Sequence, residues 1–357
     1  MNCRKEKEIE VYIIGTVGVP ACYGGFESLV QNLVDYQSKD IKYKIFCSSE
    51  SYIHKHKLYK NASLLYLPLK ANGVSSIAYD ILSLIFCLFK KPDVTLILGV
   101  SGCIFLPIYK ALSNSKIVVN IDGLEWKREK WGKLTKAFLK LSEKIAVLFS
   151  DTVISDNQAI ADYVKSEYGI ESEVIAYGGD HTLLEGHEIP STKEDFFLSI
   201  CRIEPENNVA MILDAFSKSS AKLRFVGNWN ASAYGRSLRE AYSQYNNIEI
   251  IDPIYDIETL FELRSQCKGY IHGHSAGGTN PSLVEAMQFG MPIYAFDCSF
   301  NRYTTGSQAL YFTNSESLQF SLDDDNNYAS GDIMKRIANE KYQWAYISYR
   351  YEEIFTK

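Results

Sequence analysis

The sequence predicts an α/β chain built from two doubly wound, mostly parallel sheets in tandem. Three observations carry this. Short apolar runs alternate with helix-period segments almost throughout the chain. The alternation stops at a polar stretch after Tyr177 and then restarts. At 357 residues the chain should hold about two domains, on roughly 100–200 residues each.

In the first half, Val11–Gly15 reads as a strand ending in glycine, and Phe26, Leu29, Val30, Leu33 and Val34 fall at helical spacing behind it. Strand-like runs recur at Tyr43–Cys47, Leu64–Leu67, Val94–Leu98, Ile117–Ile121 and Val174–Ala176. Strand–helix–strand repetition implies right-handed crossovers and a sheet covered on both faces. The segment 178–195 has Gly, Pro and no period, and reads as a linker. The same grammar then resumes with strands at Phe196–Ile200, Leu223–Val226, Ile248–Ile251, Tyr270–His272 and Pro292–Phe296. After Gly331 the spacing predicts one long amphipathic helix with Asp332 as its N-cap. The expected division is 1–183 for a first domain, 184–195 for the linker, 196–332 for a second domain and 333–357 for the final helix.

Composition excludes several classes. With 46% hydrophobic and 22% charged residues the chain is globular. A net charge of −6 argues against a nucleic-acid binder. The stretch Ile77–Val100 is interrupted by Asp80, Lys90, Lys91 and Asp93, so it reads as a helix and a strand rather than a membrane span. The first residues lack the apolar core of a signal peptide. Eight scattered cysteines show no CxxC pair, which suits reduced thiols in a cytoplasm. Tyrosine is abundant, at 25.

In parallel sheets ligands sit beyond the carboxyl ends of the strands, and polar residues gather there. GTVGVPACYGGFE, from Gly15 to Glu27, is either an anion cradle before a helix or a tight turn; it does not have GxGxxG spacing. Asp122-Gly-Leu-Glu125-Trp126-Lys127-Arg128 brings two carboxylates, an indole and two cations to one strand end, unless it is a plain acidic loop. Arg202 can offer phosphate a planar charged fork, or pair with Glu204 or Glu206. From His272 to Met287 glycines end a strand, Thr279 and Asn280 can cap a helix, and Pro281 suits its first turn. Free N–H groups there would attract an anion, and Glu285 about one turn in could take a sugar diol. The two histidines lack a third ligand nearby, so no metal is expected. Lys133, Lys136, Lys140 and Lys144 form a stripe beside Leu134, Phe138, Leu141 and Ile145, either a solvated face or a docking face for anionic lipid. Asn301 and Arg302 follow the last of these strands and can face the ligand or lie on a surface loop.

Together these blocks resemble a retaining glycosyltransferase of the GT-B type, family 4-like, and more narrowly the bacterial rhamnosyltransferases of capsule and cell-wall polysaccharide assembly. The match rests on GTVGVPACYGGFE, DGLEWKREKW at 122–131, SDN at 155–157, AYGGDH at 176–181, RIEPENN at 202–208, GGTNPSLVEAM at 277–287 and SFNRYTTG at 299–306. The resemblance implies two Rossmann-like domains facing a cleft, with the final helix crossing back to the first. It implies a nucleotide-diphosphate sugar donor, with dTDP-rhamnose foremost, and a lipid-linked saccharide acceptor at the inner face of the bacterial membrane. No metal cofactor is implied. Asp122, Glu125, Arg202 and Glu285 would be catalytic. Gly24, Gly25, Asn207, Ile254, His274, Gly278, Thr279, Asn280, Ser282 and Glu285 would hold the donor, and Tyr23, Trp126 and Arg128 would line the acceptor side. The alternatives are transfer of another hexose from a UDP-sugar, a nucleotide-sugar 2-epimerase of the same build, and an inactive nucleotide-sugar-binding scaffold. Two departures stand out: no Lys follows Arg202, and Gly277 stands where the wider superfamily often carries a second Glu. A deoxy sugar has less need of that carboxylate.

Overall fold

The computed structural model describes residues 8–21, 24–127, 131–322 and 329–357, and it divides into two compact units. One comprises residues up to 176 together with 344–357; the other is 177–343.

The first unit opens with β1 (Ile9–Ile14) and α1 (Gly25–Asp35). There follow β2 (Ile41–Ser48), β3 (Leu58–Tyr59), β4 (Ala62–Leu67), α2 (Ser75–Lys90), β5 (Val94–Leu98) and α3 (Leu106–Leu112). β6 (Lys116–Asn120), α4 (Lys133–Phe149), β7 (Thr152–Ser155), α5 (Gln158–Tyr168) and β8 (Glu173–Val174) complete the run. The sheet order is β3-β4-β2-β1-β5-β6-β7-β8, parallel except for the short β3–β4 hairpin. β5 is buried along its whole length, as a strand covered on both faces must be. The chain moves one way across the sheet through α1 and back through α2, α3, α4 and α5, so right-handed crossovers place α1 on one face and the other four on the opposite face.

The second unit repeats the plan. β9 (Glu194–Ile200), α6 (Val209–Ser217), β10 (Leu223–Val226), α7 (Ala233–Tyr242), β11 (Ile248–Ile251), α8 (Ile257–Gln266) and β12 (Cys267–His272) lead to α9 (Pro281–Met287). Then come β13 (Ile293–Phe296), α10 (Ser299–Thr304), β14 (Leu310–Phe312), α11 (Ser315–Leu322) and α12 (Ala329–Lys341). Its sheet, β11-β10-β9-β12-β13-β14, is wholly parallel. Phe197, Leu213, Phe216, Phe225 and the fully buried Trp229 form the centre of one face. The strand order reverses between β1 and β5 in one sheet and between β9 and β12 in the other, so the loops after those four strands are where a ligand site is expected.

The chain end departs from the single helix that the spacing predicts. Helix α12 starts at Ala329, which puts Asp332 inside its first turn rather than at the cap. It stops at Lys341, and α13 (Trp344–Thr356) begins anew. The cause lies at Tyr342: its carbonyl accepts from Gly179 N (2.9 Å) and Gln288 Nε2 (3.2 Å), so it is not left to continue the helix. The Tyr342 hydroxyl also donates to Thr304 O at 2.7 Å.

Helix α13 belongs to the first unit. It buries Trp344, Ile347, Tyr351, Ile354 and Phe355 there, and packs beside α1 and β1. Lys116 Nζ donates to Ile354 O (2.6 Å), placing a cation at the helix C-terminus, and Arg350 pairs with Glu173 at 3.0 Å. The six described cysteines are free thiols, and no described helix is long and apolar enough to cross a membrane. Trp344→Ala is expected to destabilise the first unit by about 3–5 kcal/mol, read as an earlier transition in urea; an unchanged unfolding curve would contradict this packing.

Candidate active site

In the second unit the loops after β9, β12 and β13 are laced together by side chains that reach backbone groups. Asn207 Nδ2 donates to Arg202 O at 2.6 Å, and Asn208 Nδ2 to Gly273 O at 2.8 Å. Ser275 donates to Glu206 O from both its N–H (2.9 Å) and its hydroxyl (2.8 Å). Asn301 Nδ2 bonds His274 O (2.9 Å) and Phe296 O (2.8 Å). The result is a fixed floor from which the Arg202 guanidinium projects, 57% exposed and 3.8 Å from Glu204. His272 lies beneath, fully buried and stacked on His274 at 4.5 Å; burial pushes its pKa down to about 3, so it stays neutral. Among the described residues no group of three His, Cys, Asp or Glu is placed to hold a metal.

Glu285 is held by two residues. Arg264 Nη2 on α8 bonds Oε2, and His181 Nε2 lies 3.5 Å from Oε1. Arg264 is 6% exposed and Glu285 16%. Burial alone would raise the Glu285 pKa, but Arg264 and His181 outweigh it and hold the carboxyl below its ordinary value. His181 gets there because Gly179 packs on α9, where a Cβ would lie 2.4 Å from Val284 O and only glycine fits.

In the first unit Asp122 sits in the left-handed region at φ +59°, a conformation that costs a non-glycine residue of order 1–3 kcal/mol. Its N–H donates to Asn120 Oδ1 at 3.0 Å, and Asn120 Nδ2 donates to the Tyr351 hydroxyl at 2.8 Å. The last helix thereby fixes this loop. Glu125 accepts from Trp131 Nε1 at 3.0 Å. Trp126 Nε1 donates to the buried Glu143 at 3.0 Å, and Glu143 also accepts from Tyr163 (2.6 Å) and Tyr168 (2.7 Å), with the Lys140 ammonium 4.7 Å over the indole. Burial and the Glu143 charge both push the Tyr168 hydroxyl pKa up.

Residues 8–180 match the domain of unknown function DUF1972, and residues 185–315 match glycosyl transferases group 1. The second unit is therefore similar to the group 1 glycosyltransferases over residues 185–315. An uncharacterized glycosyltransferase of Haemophilus influenzae is 22% identical over 218 residues, 59% of this chain and 60% of that relative's length. The fold matches that of GT-B glycosyltransferase structures. The sucrose-phosphate synthase of Thermosynechococcus elongatus superposes with a TM-score of 0.80 at 12% identity over 98% of both chains. Anabaena HepE in complex with UDP-glucose gives 0.73 at 14% identity, over 97% of this chain and 99% of its own.

Several expectations for the site need correction. The first turn of α9 does not offer a row of free N–H groups: Pro281 has none, Ser282 N bonds Asn280 Oδ1 (3.1 Å) and Leu283 N bonds Asn280 O (3.1 Å). Asparagine is simply a good N-cap. The opening glycine loop likewise has an anion of its own, because buried Glu27 accepts from Val17 N (2.7 Å), Thr16 Oγ1 (3.0 Å) and Gly24 N (2.9 Å). Gly25 begins α1. Trp126 is a strut bound to Glu143 rather than an open platform, and Arg302 is committed to Asp297 at 2.6 Å. Glu285 does not present two open oxygens. Tyr23 and Arg128 lie outside the described residues.

Arg202, Asn207, His274, Gly278, Thr279, Asn280, Ser282 and Glu285 all lie in or just beyond the loops at the β9–β12 switch. Ile254 stands apart, since its loop follows β11 with β10 and β9 between it and β12. Gly277 has φ +118°, so a glutamate there would be strained although the space is open. Sequence reasoning missed Arg264, which has ordinary helix-interior spacing, and quoted His181 without a role.

Two outcomes test this wiring. Tyr351→Phe leaves Asn120 Nδ2 buried without its partner, at an expected cost of about 1–3 kcal/mol in urea unfolding. The folded Glu285 pKa lies below its ordinary 4.5, so its stabilisation is complete above that value and is lost as pH falls through the lower folded one. The stability gap between wild type and Glu285→Gln should therefore be widest above about pH 5 and shrink in acid; a gap unchanged from neutral pH into acid would refute the pairing.

Proposed function

We propose that this chain is a retaining glycosyltransferase that moves a sugar, foremost L-rhamnose from dTDP-rhamnose, to a hydroxyl of a lipid-linked saccharide in cell-surface polysaccharide assembly. The observation that carries it is the pairing, at one switch point, of an exposed guanidinium on Arg202 with an ionised carboxylate on Glu285. A nucleotide-diphosphate sugar has complementary parts: a diphosphate for the cation and a ribose diol for the anion. Oε2 of Glu285 is taken by Arg264, so Oε1 is the oxygen for the ribose, beside His181. The loop 277–279 lies alongside the diphosphate, the base lies toward Ile254, and the buried Asn207 serves the donor only by holding the Arg202 carbonyl.

In the reaction the bond from the anomeric carbon to the diphosphate oxygen breaks as the acceptor hydroxyl attacks. The acceptor proton passes to the departing diphosphate oxygen, and the nucleoside diphosphate leaves. Negative charge grows on that oxygen, and Arg202 stabilises it where it develops. Asp122 and Glu125 are the carboxylates assigned to the transferred sugar and the acceptor. The strained backbone at Asp122 is held by Asn120 and Tyr351, which fixes the path of this loop before substrate arrives. A glycine at 277 removes a hydrogen-bonding partner, which suits the methyl end of a deoxy sugar. The likeness to HepE in complex with UDP-glucose favours a second reading, transfer of a hexose from a UDP-sugar.

Purified protein given dTDP-rhamnose or UDP-glucose with lipid-linked saccharide acceptors decides between them. Transfer from dTDP-rhamnose is expected, and it is expected to survive EDTA. Arg202→Ala should lower kcat/KM by about 100-fold or more, and Glu285→Ala should raise the donor KM by about 10-fold or more. Unchanged kinetics in both variants would sink the assignment. Donor conversion without acceptor would indicate an epimerase.

A further inference from the structure

We propose that the outer face of α2, α3 and α4 docks on the surface of an anionic lipid bilayer. This deepens the reading of a lipid-linked acceptor and takes its purpose from that reading, but it stands on its own observations within the first unit. The three helices follow one another on one face of the sheet, α3 packing against both α2 and α4. Each carries an exposed apolar line. On α4, Leu134, Leu141 and Leu148 are exposed at intervals of seven, with Leu134 89% open. On α2, Leu82 and Phe89 are also seven apart, Phe89 80% open. On α3, Ile108 and Leu112 are four apart. Residues at these spacings share one side of a helix, so the lines run along the outside of the layer. The sequence pointed to Phe138 and Ile145 as part of the α4 line; both are half-buried, and Leu148 takes their place.

Charge completes the case. The protein carries a net −6, yet these helices carry one, one and four lysines and only two acids, Asp80 and Glu143, both buried. No acid on them reaches the surface. Lys110 and Lys140 have protein partners, while Lys90, Lys133 and Lys144 are exposed beside the apolar lines. Long apolar side chains bordered by lysine suit the boundary between headgroups and acyl chains. A protein partner fits less well. Interface cores are enriched in Trp, Tyr and Arg and depleted of Lys, whereas these helices hold no Trp or Arg, and Tyr79 and Tyr109 point inward and are fully buried.

The test is co-sedimentation of the full chain with vesicles of phosphatidylcholine alone, or with about 30 mol% phosphatidylglycerol. Binding to the anionic vesicles, weakened by high salt and absent on the neutral ones, is expected. Two triple variants locate the face: Leu134→Ser with Leu141→Ser and Leu148→Ser, and Lys133→Gln with Lys136→Gln and Lys144→Gln. The lysine variant should bind about a hundredfold more weakly, each lysine near an anionic surface contributing roughly fivefold. The leucine variant should lose most binding at any salt, with circular dichroism unchanged in both. Wild-type protein that ignores anionic vesicles at low salt would overturn the proposal, as would variants that bind like wild type. Transfer to a lipid-free acceptor separates the two readings. Variants that lose vesicle binding but keep that transfer support the docking face. Wild-type protein that binds vesicles yet transfers no sugar leaves the face standing and removes the proposed function.

Discussion

A loop leaving the end of a buried parallel strand carries N–H and C=O groups with no ladder partner, and each must find one. In both units this constraint decides what the strand ends look like. Side-chain amides and carboxylates meet it: Glu27 for the loop after β1, Asn120 for the loop after β6, and Asn207, Asn208, Ser275 and Asn301 for the loops of the second sheet. These residues look like ligand contacts because they are polar and sit at the right edge. Much of their capacity is spent internally. The groups left to act outward, Arg202 and one oxygen of Glu285, are held in place by that internal bonding.

The long strands were legible because a strand buried on both faces must be largely apolar, as Ile117–Val119 is throughout and Val94–Leu98 is apart from Thr95. The expected strands at Leu223–Val226 and Ile248–Ile251 match the structure residue for residue. Short edge strands were not legible. β3 has two residues and β14 has three; β7, one strand in from the edge, has four and opens with a polar residue, Thr152. The break at Tyr342 was hidden for a different reason. Helical spacing persists across it, and the competing acceptor bonds come from Gly179 and Gln288, far away in sequence. Arg264 was illegible for the same reason: its meaning comes from Glu285, on another helix.

The overall acidity of the chain says little about its surface. Charge acts through where it is placed, and a buried acid contributes nothing to the outer field of a helix layer. Asp80 is an example: burial raises its pKa to about 8, so near neutral pH it is largely uncharged. The α2–α4 layer can be cationic on a protein of net −6 because its acids point inward.

Helix α13 has a consequence for how the molecule is made. It completes the core of the first unit, but its residues are translated after the whole of the second. The second unit is thus an insertion within the first, and during synthesis it can reach its native state while the earlier-made unit still lacks Trp344 and Tyr351. Until those last residues emerge, Asn120 and the Asp122 loop have no anchor. A half-made chain would therefore hold a finished second unit and an unfinished first one, so the assembly order itself delays the Asp122 geometry until translation ends.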